Sequence, residues 1–201
     1  NPEKGFWATA NQHVTPADYP YPEALAFTWA DPFRGDRVNE VLALDSSATL
    51  AKSMALQVDV TALPARQLTP LLLQAPISDP KGVEALEWMR NWDYQLLPES
   101  VAAGMYVAWE RALVKEVRKR LVPQAVQGLL QPPLTQIIRW MNQPELVFKE
   151  NALSQRDQLL AQTWATALDD LAKQLGPKLT DWAYGQAAYK HIALQHPLSK
   201  W

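Results

Sequence analysis

The spacing of hydrophobic positions predicts two long amphipathic helices. Between about Glu99 and Val122, apolar residues recur every four positions, which places them on one face of a helix. These residues are Val101, Met105, Trp109, Leu113, Val117 and Leu121. A second helix is predicted between about Gln155 and Leu175, with Leu160, Trp164, Leu168, Leu171 and Leu175 on one side. Ser154 and Asp157 resemble a capping box, and Gly176-Pro177 is a typical helix stop.

Shorter helices are predicted on either side of the first long one. A helix begins near Arg34, and Ser46 or Ser47 is placed to cap the next, which carries Leu50, Met54 and Val58. Pro64 suits the first turn of a helix that runs to about Gln74. Val83 to Trp92 and Pro133 to Met141 supply two more. The chain is therefore predicted to be mainly α, with six to eight helices.

The first 33 residues follow a different pattern. Gly5 to Ala10 read as a short apolar strand, and prolines at 16, 20, 22 and 32 exclude a continuous helix after it. Residues 12–33 are predicted to form an ordered loop with aromatic anchors, namely Tyr19, Tyr21, Phe27 and Trp29. A loop of this length is more often functional than accidental. We divide the chain into a strand and loop segment, 1–33, and a helical domain, 34–201.

Composition and charge exclude several classes of function. Hydrophobic residues make up 48% and charged residues 20% of 201 residues, as in ordinary globular domains. A formal net charge of −2 gives no reason to expect nucleic acid or an anionic membrane as partner. No apolar run is long enough for a membrane span. The absence of cysteine excludes thiol nucleophiles and disulfides.

Few residues suggest chemistry by themselves. His191 and His196 are five positions apart, which does not suit metal binding from one helical face. Asn11 ends the predicted strand, where its side-chain amide could act as a fixed hydrogen-bond donor. Spacing alone favours a structural role for Asn11, such as an Asx turn. Both ends of the chain look cut from a longer protein.

Four motifs nevertheless resemble the penicillin acylase (penicillin amidase) family of N-terminal-nucleophile hydrolases. They are Gly5-Phe6-Trp7-Ala8-Thr9-Ala10-Asn11-Gln12, Asp18-Tyr19-Pro20, Phe27-Thr28-Trp29 and Asp36-Arg37-Val38-Asn39-Glu40-Val41. The resemblance implies that the chain is an internal helical piece of the β-chain region of an α/β/β/α sandwich enzyme. The loop is longer here than in the family's best-known members.

The resemblance also implies a mechanism. In this family a serine made N-terminal by autoproteolysis attacks the acyl carbonyl, and its own α-amine is the base. The family's oxyanion-hole asparagine corresponds to Asn11, and its orienting active-site arginine corresponds to Arg37. The serine is expected outside this chain, so the piece alone should be inactive. The parent should hydrolyse N-acyl amides such as penicillins or acyl-homoserine lactones.

Metal, partners and location follow from the same resemblance. Some members carry a calcium-ligating carboxylate just after the Asp-Tyr-Pro turn, and Glu23 holds that position here, although a solvated loop glutamate is the more common explanation. No cofactor is expected in the piece itself. Its partner would be the rest of the precursor, namely the α chain and the catalytic sandwich. Family members are generally periplasmic or secreted.

Two other interpretations remain open at this point. The chain could be a helical binding or adaptor module, in which Asn11 and Arg37 would face solvent and be unrelated to each other. Alternatively, the excised piece could expose apolar surface that normally packs on the sandwich, and so dimerise.

Overall fold

The computed structural model describes residues 2–16, 18–25 and 29–186, and within these the chain is mainly helical. In chain order the helices are α1 (Phe33–Leu44), α2 (Leu50–Gln57), α3 (Leu63–Gln74), α4 (Pro80–Arg90), α5 (Val101–Leu121), α6 (Leu134–Asn142) and α7 (Ala152–Leu175). Short 3-10 helices span Pro22–Ala24, Gln124–Val126, Pro144–Leu146 and Leu179–Asp181. The predicted helical class is confirmed.

The core lies where α5 packs along α7, as the two hydrophobic stripes predict. Trp109 and Trp164 meet edge to face, with ring centroids 6.3 Å apart, and both are almost fully buried. Their indole N–H groups are satisfied, because Trp109 donates to the Thr163 hydroxyl and Trp164 donates to the Gly82 carbonyl. Helices α3, α4 and α6 pack around this pair. Burial of large aromatic side chains with satisfied polar atoms is what stabilises such a core.

The first two helices contribute little to that core. Gly35 is the one fully buried residue of α1, and α2 has none. Leu50, Met54 and Val58, which the sequence places on one face of α2, are 78%, 60% and 74% exposed. Helices α1 and α2 therefore form an arm on the outside of the bundle, which touches it mainly through α3.

Two helix caps differ from those predicted. Helix α2 is capped by Thr49, whose hydroxyl accepts from the Lys52 N–H, rather than by Ser46 or Ser47. Helix α7 begins after Asn151, which has a left-handed backbone and no capping side-chain bond, so the predicted Ser154 capping box is wrong. A residue with φ of 47° turns the chain sharply enough to start the helix two residues before Ser154. The stop at Gly176 is confirmed, with φ of 95°.

The predicted strand at Gly5–Ala10 is wrong. These residues are irregular, and the described residues contain a single isolated β-bridge, between Thr61 and Gln95. A strand requires a neighbour to pair its backbone N–H and C=O groups, and the described part of the chain offers none beside this segment. The predicted turn at Gly5 is present, with φ of 78° and an N–H donated to the Pro2 carbonyl.

The predicted aromatic anchors of the loop are only partly buried, although the Trp29 ring packs edge to face on His13 with ring centroids 4.8 Å apart. Tyr19, Tyr21 and Trp29 are 38%, 62% and 39% exposed, and Phe27 lies outside the described residues. Polar contacts also hold the loop. The carboxylate of Asp31 accepts hydrogen bonds from the backbone N–H groups of Leu134 and Thr135, each at 3.0 Å. It thereby caps α6, whose first N–H groups lack partners within the helix.

No helix in the described ranges has the length and apolarity needed to cross a bilayer. His191 and His196 fall in the C-terminal stretch outside those ranges.

We expect Gly104→Ala to destabilise the 201-residue chain. An added Cβ on α5 would collide with the backbone carbonyl oxygen of Trp182, which cannot rotate away as a side chain could. Overpacking of this kind costs about 1–3 kcal/mol, partly offset by the ~1 kcal/mol better helix propensity of alanine. Urea unfolding followed by circular dichroism measures the change in the free energy of unfolding.

Gly128→Ala is the matched control, because an added Cβ there meets no atom within 4 Å. We expect it to leave the free energy of unfolding unchanged or to raise it by up to ~1 kcal/mol. Equal stability of the two variants would contradict the close approach of α5 to Trp182.

Candidate active-site segment

The turn that carries Asn11 is built by the side chain of Gln12. The Gln12 carboxamide oxygen accepts a hydrogen bond from the Ala10 N–H at 2.6 Å, and its nitrogen donates to the Ala8 carbonyl at 3.4 Å. Gln12 is 8% exposed, which makes it one of few buried polar residues among those described. The chain therefore folds back around its own amide side chain, and Asn11 at the tip takes φ of 68°. Asparagine tolerates this left-handed region better than most residues.

Helix α1 is fitted against this turn through Gly35. The site of a Cβ on Gly35 is already occupied by the carboxamide of Gln12, so a side chain there would displace Gln12. Within α1 itself, the Asn39 side chain donates to the Gly35 carbonyl at 2.7 Å. The Ala30 N–H donates to the Asn11 carbonyl at 3.3 Å and closes the loop. The position of Asn11 is therefore set by the first turn of α1.

Asn11 contacts an arginine, and that arginine is Arg34. The Arg34 Nη2 donates to Asn11 Oδ1 at 2.7 Å and to the Ala10 carbonyl at 3.1 Å. Asn11 Nδ2 has no hydrogen-bond partner among the described residues. Arg34 thus binds the amide oxygen and leaves the amide nitrogen unengaged, on a residue that is exposed.

Arg37 lies one turn further along α1 and faces the helical bundle. Its Nε lies 3.1 Å from both carboxylate oxygens of Asp59, and its Nη2 lies 2.7 Å from Oδ2. Its Nη1 donates to Glu40 at 2.9 Å, and Glu40 in turn accepts from Arg66 of α3 at 2.8 Å. Asn11 and Arg37 are therefore not in direct contact. They are joined through α1, with Arg34 beside Asn11 and Arg37 fastening the same helix to the connection between α2 and α3.

These ion pairs shift the pKa values of Asp59, Arg37 and Glu40. Hydrogen bonding from Arg37 is the main reason that the pKa of Asp59 falls to about 2, and it outweighs the opposing effect of partial burial. The same contact to Asp59 raises the pKa of Arg37 above its ordinary value. Hydrogen bonds from Arg37 and then Arg66 lower the pKa of Glu40. Asp59, Arg37 and Glu40 are therefore ionised near neutral pH.

A shallow cavity of about 330 Å³ opens beside the turn. Its lining includes Ala10 of the turn, Arg34 and Arg37 of α1, and Asp59. Its far wall is formed by Leu63 and Pro64 at the start of α3. The cavity is lined by Arg34 and Arg37, and Asn11 lies next to its lining residue Ala10 without lining it. It contains no nucleophile paired with a base.

The residues do not assemble a metal site. Among the described residues, no three histidine, aspartate or glutamate side chains come together in a way that could hold a metal ion. Glu23 lies in the 3-10 helix Pro22–Ala24, and its side chain is outside the described part of the chain. Calcium needs six to eight oxygen ligands. These residues alone therefore do not fit a calcium ion, and Glu23 stays a prediction.

Sequence reasoning missed the roles of Arg34, Gly35 and Asp31. The position of Arg34 in the first turn after the loop was the available signal, since a long side chain there can reach back along the loop. Nothing in the sequence indicated that Gly35 would contact Gln12, because that approach depends on how the loop folds.

The Arg37–Asp59 pair predicts a dependence of stability on acid pH. Because the pKa of Asp59 is lowered from 3.8 to about 2, the pair stabilises the folded chain fully above pH 4 and progressively less as pH falls towards 2. The free-energy difference between the parent chain and Asp59→Asn should therefore shrink over that window. We expect less than ~1 kcal/mol in total, since the pair is partly exposed.

Urea titrations at pH 5, 4, 3 and 2 measure that difference. In an Arg37→Ala background the same Asp59→Asn change should show a much weaker pH dependence, because the partner is gone. If the free-energy difference between the parent chain and Asp59→Asn stays constant from pH 5 to pH 2, the Arg37–Asp59 pair is ruled out.

The comparisons with known proteins identify the family. The sequence profile described as Penicillin amidase matches residues 1–200. A comparison with curated individual proteins gives no match. Because the profile covers nearly the whole chain, including the Asn11 turn and α1, the resemblance in the sequence motifs is confirmed. Membership indicates an amidohydrolase parent, and the chain belongs to the penicillin amidase family.

Proposed function

We propose that this chain supplies the side-chain half of the oxyanion hole to an N-acyl amide hydrolase, and that Asn11 is the donor. The family match over residues 1–200 carries the proposal. The site supports it, because Asn11 sits at the tip of a braced turn with Nδ2 unengaged by any described residue. A donor that is already positioned before the reaction costs no reorganisation when negative charge develops on the substrate oxygen.

The nucleophile in this proposal is an N-terminal serine from a segment outside these 201 residues. Its Oγ attacks the acyl carbonyl carbon, and its own α-amine takes the hydroxyl proton. The oxyanion that forms is held by Asn11 Nδ2 and by a backbone N–H from the other segment. Collapse of the tetrahedral intermediate expels the amine, which takes up the proton, and water then hydrolyses the acyl-serine ester. The chain alone is inactive in this scheme, because internal serines such as Ser46 have no free α-amine.

Arg37 acts in this scheme through α1. Its bonds to Asp59 and Glu40 involve Nε, Nη1 and Nη2, so all three guanidinium nitrogens bind carboxylates of this chain. It holds the helix whose first turn braces the Asn11 turn. We therefore propose that Arg37 is a positioning residue and that it does not touch the substrate.

Substrate, partner and location are proposed from family membership. The substrates are N-acyl amides such as penicillins or acyl-homoserine lactones. The rest of the precursor, including the α chain and the catalytic sandwich, packs against this helical piece. Residues 1–33 form the active-site segment and 34–201 the helical domain, in a periplasmic or secreted enzyme. Calcium, if the parent holds it, takes most of its ligands from elsewhere, with Glu23 as the contribution of this chain.

The decisive experiment is Asn11→Ala in the full-length parent, assayed with a panel of chromogenic N-acyl amides. Loss of one oxyanion-hole donor lowers turnover by about 100- to 1,000-fold. We expect a fall of this size in kcat, with autoproteolytic processing followed separately by mass spectrometry. Asn91→Ala on the exposed end of α4 is the control for loss of an asparagine, and should retain full activity.

Two results would contradict the proposal. A correctly folded parent that hydrolyses none of the N-acyl amides would favour the adaptor interpretation. Unchanged kcat in Asn11→Ala would remove Asn11 from the oxyanion hole, whatever the substrate.

A further inference from the structure

Arg34 contacts the Asn11 turn but has no role in the mechanism proposed above. Its side chain leaves the first turn of α1 and reaches back across the loop, so that one nitrogen, Nη2, contacts both Asn11 Oδ1 and the Ala10 carbonyl. Both acceptors belong to the turn that presents Asn11. Other cationic side chains of the arm, such as Arg37 and Lys52, bind carboxylates. Arg34 binds two neutral oxygens.

The chemistry of this contact selects one orientation of the Asn11 amide. A guanidinium carries only donors, so it can face the oxygen of a carboxamide but not its NH₂ group. With Oδ1 held at 2.7 Å from Arg34, Nδ2 must point to the opposite side. Only Nδ2 can donate to an oxyanion. A free asparagine amide would be divided between two orientations, of which one presents an oxygen that repels negative charge.

The contact also strengthens the donor that it exposes. Hydrogen bonds from a charged group polarise the acceptor, and a polarised amide is a better N–H donor at its other end. Arg34 therefore both aims Nδ2 and increases its capacity to donate. Neither effect requires Arg34 to touch the substrate.

The contact between Gly35 and Gln12 keeps Arg34 close to Asn11. Gly35 packs directly on Gln12, whose carboxamide closes the turn around Ala10. Arg34 precedes Gly35, and Asn11 precedes Gln12, so the two side chains extend from segments that are held together through the Gln12 side chain. Their distance is fixed by this packing and not by the attraction between the two polar groups.

We infer that Arg34 is a positioning residue for the oxyanion hole, which fixes the Asn11 carboxamide with Nδ2 towards the reacting carbonyl. This inference rests on the proposed role of Asn11. It predicts that the effect of Arg34 on turnover passes entirely through Asn11.

A double-mutant cycle in the full-length parent tests the inference. Arg34→Ala should lower kcat by about 10- to 100-fold, as for loss of a hydrogen bond to a charged group, and leave KM within about twofold. In the Asn11→Ala background the same substitution should change kcat by less than about twofold, because nothing remains to be oriented. Arg34→Lys should recover part of the activity, since an ammonium can donate to Oδ1. Arg90→Ala, at an exposed pair on α4, is the matched control and should behave as wild type.

The remaining outcomes each decide the matter. Equal fold-losses for Arg34→Ala in the presence and absence of Asn11 would overturn the inference, as would wild-type kcat in Arg34→Ala. If Arg34→Ala is not processed, Arg34→Lys and Arg34→Gln complete the same cycle, and additive losses there overturn it equally. If Asn11→Ala alone keeps full activity while Arg34→Ala does not, the proposed function fails and the inference fails with it. If Asn11→Ala is impaired and the cycle is additive, only the inference fails.

Discussion

The bidentate contact between Arg37 and Asp59 is the attachment on which the candidate site depends. Helix α1 buries only Gly35 completely, so apolar packing gives it little hold on the bundle. Two carboxylates, Asp59 and Glu40, take up the Arg37 guanidinium, and Arg66 ties Glu40 to α3. Individual exposed ion pairs stabilise proteins weakly, typically by about 0–1 kcal/mol, whereas bidentate and networked pairs hold geometry better. The candidate site therefore lies on a helix, α1, that is attached to the rest of the chain mainly by ion pairs.

An arm of this kind is consistent with a larger enzyme around it. Leu44, Leu50, Met54 and Val58 leave about three-fifths or more of their surface exposed along α1 and α2. Contiguous exposed apolar surface usually marks a place where another surface packs. In our proposal the rest of the amidohydrolase covers it and completes the hold on α1. The bundle of α3 to α7 has its own buried core.

The sequence predicted those parts of the fold in which one periodic pattern decides the structure. The stripes from Val101 to Val117 and from Leu160 to Leu171 became the core, because burial of such a face determines how a helix packs. The strand predicted at Gly5 to Ala10 is wrong, since a short apolar run cannot supply a pairing partner. Asn11 was found through motif resemblance, and its neighbour Arg34 was not, because their contact joins residues 23 positions apart through a loop of irregular shape.

A crystal structure of the intact parent, with a boronate or phosphonate bound to the N-terminal serine, is the most direct test of the proposed role of Asn11. Such an adduct places a negatively charged oxygen where the tetrahedral intermediate would carry it. We predict that Asn11 Nδ2 lies about 2.7–3.1 Å from that oxygen, with Oδ1 still bound by Arg34. An Asn11 amide turned away from the adduct, or an oxyanion bound wholly by other groups, would contradict it.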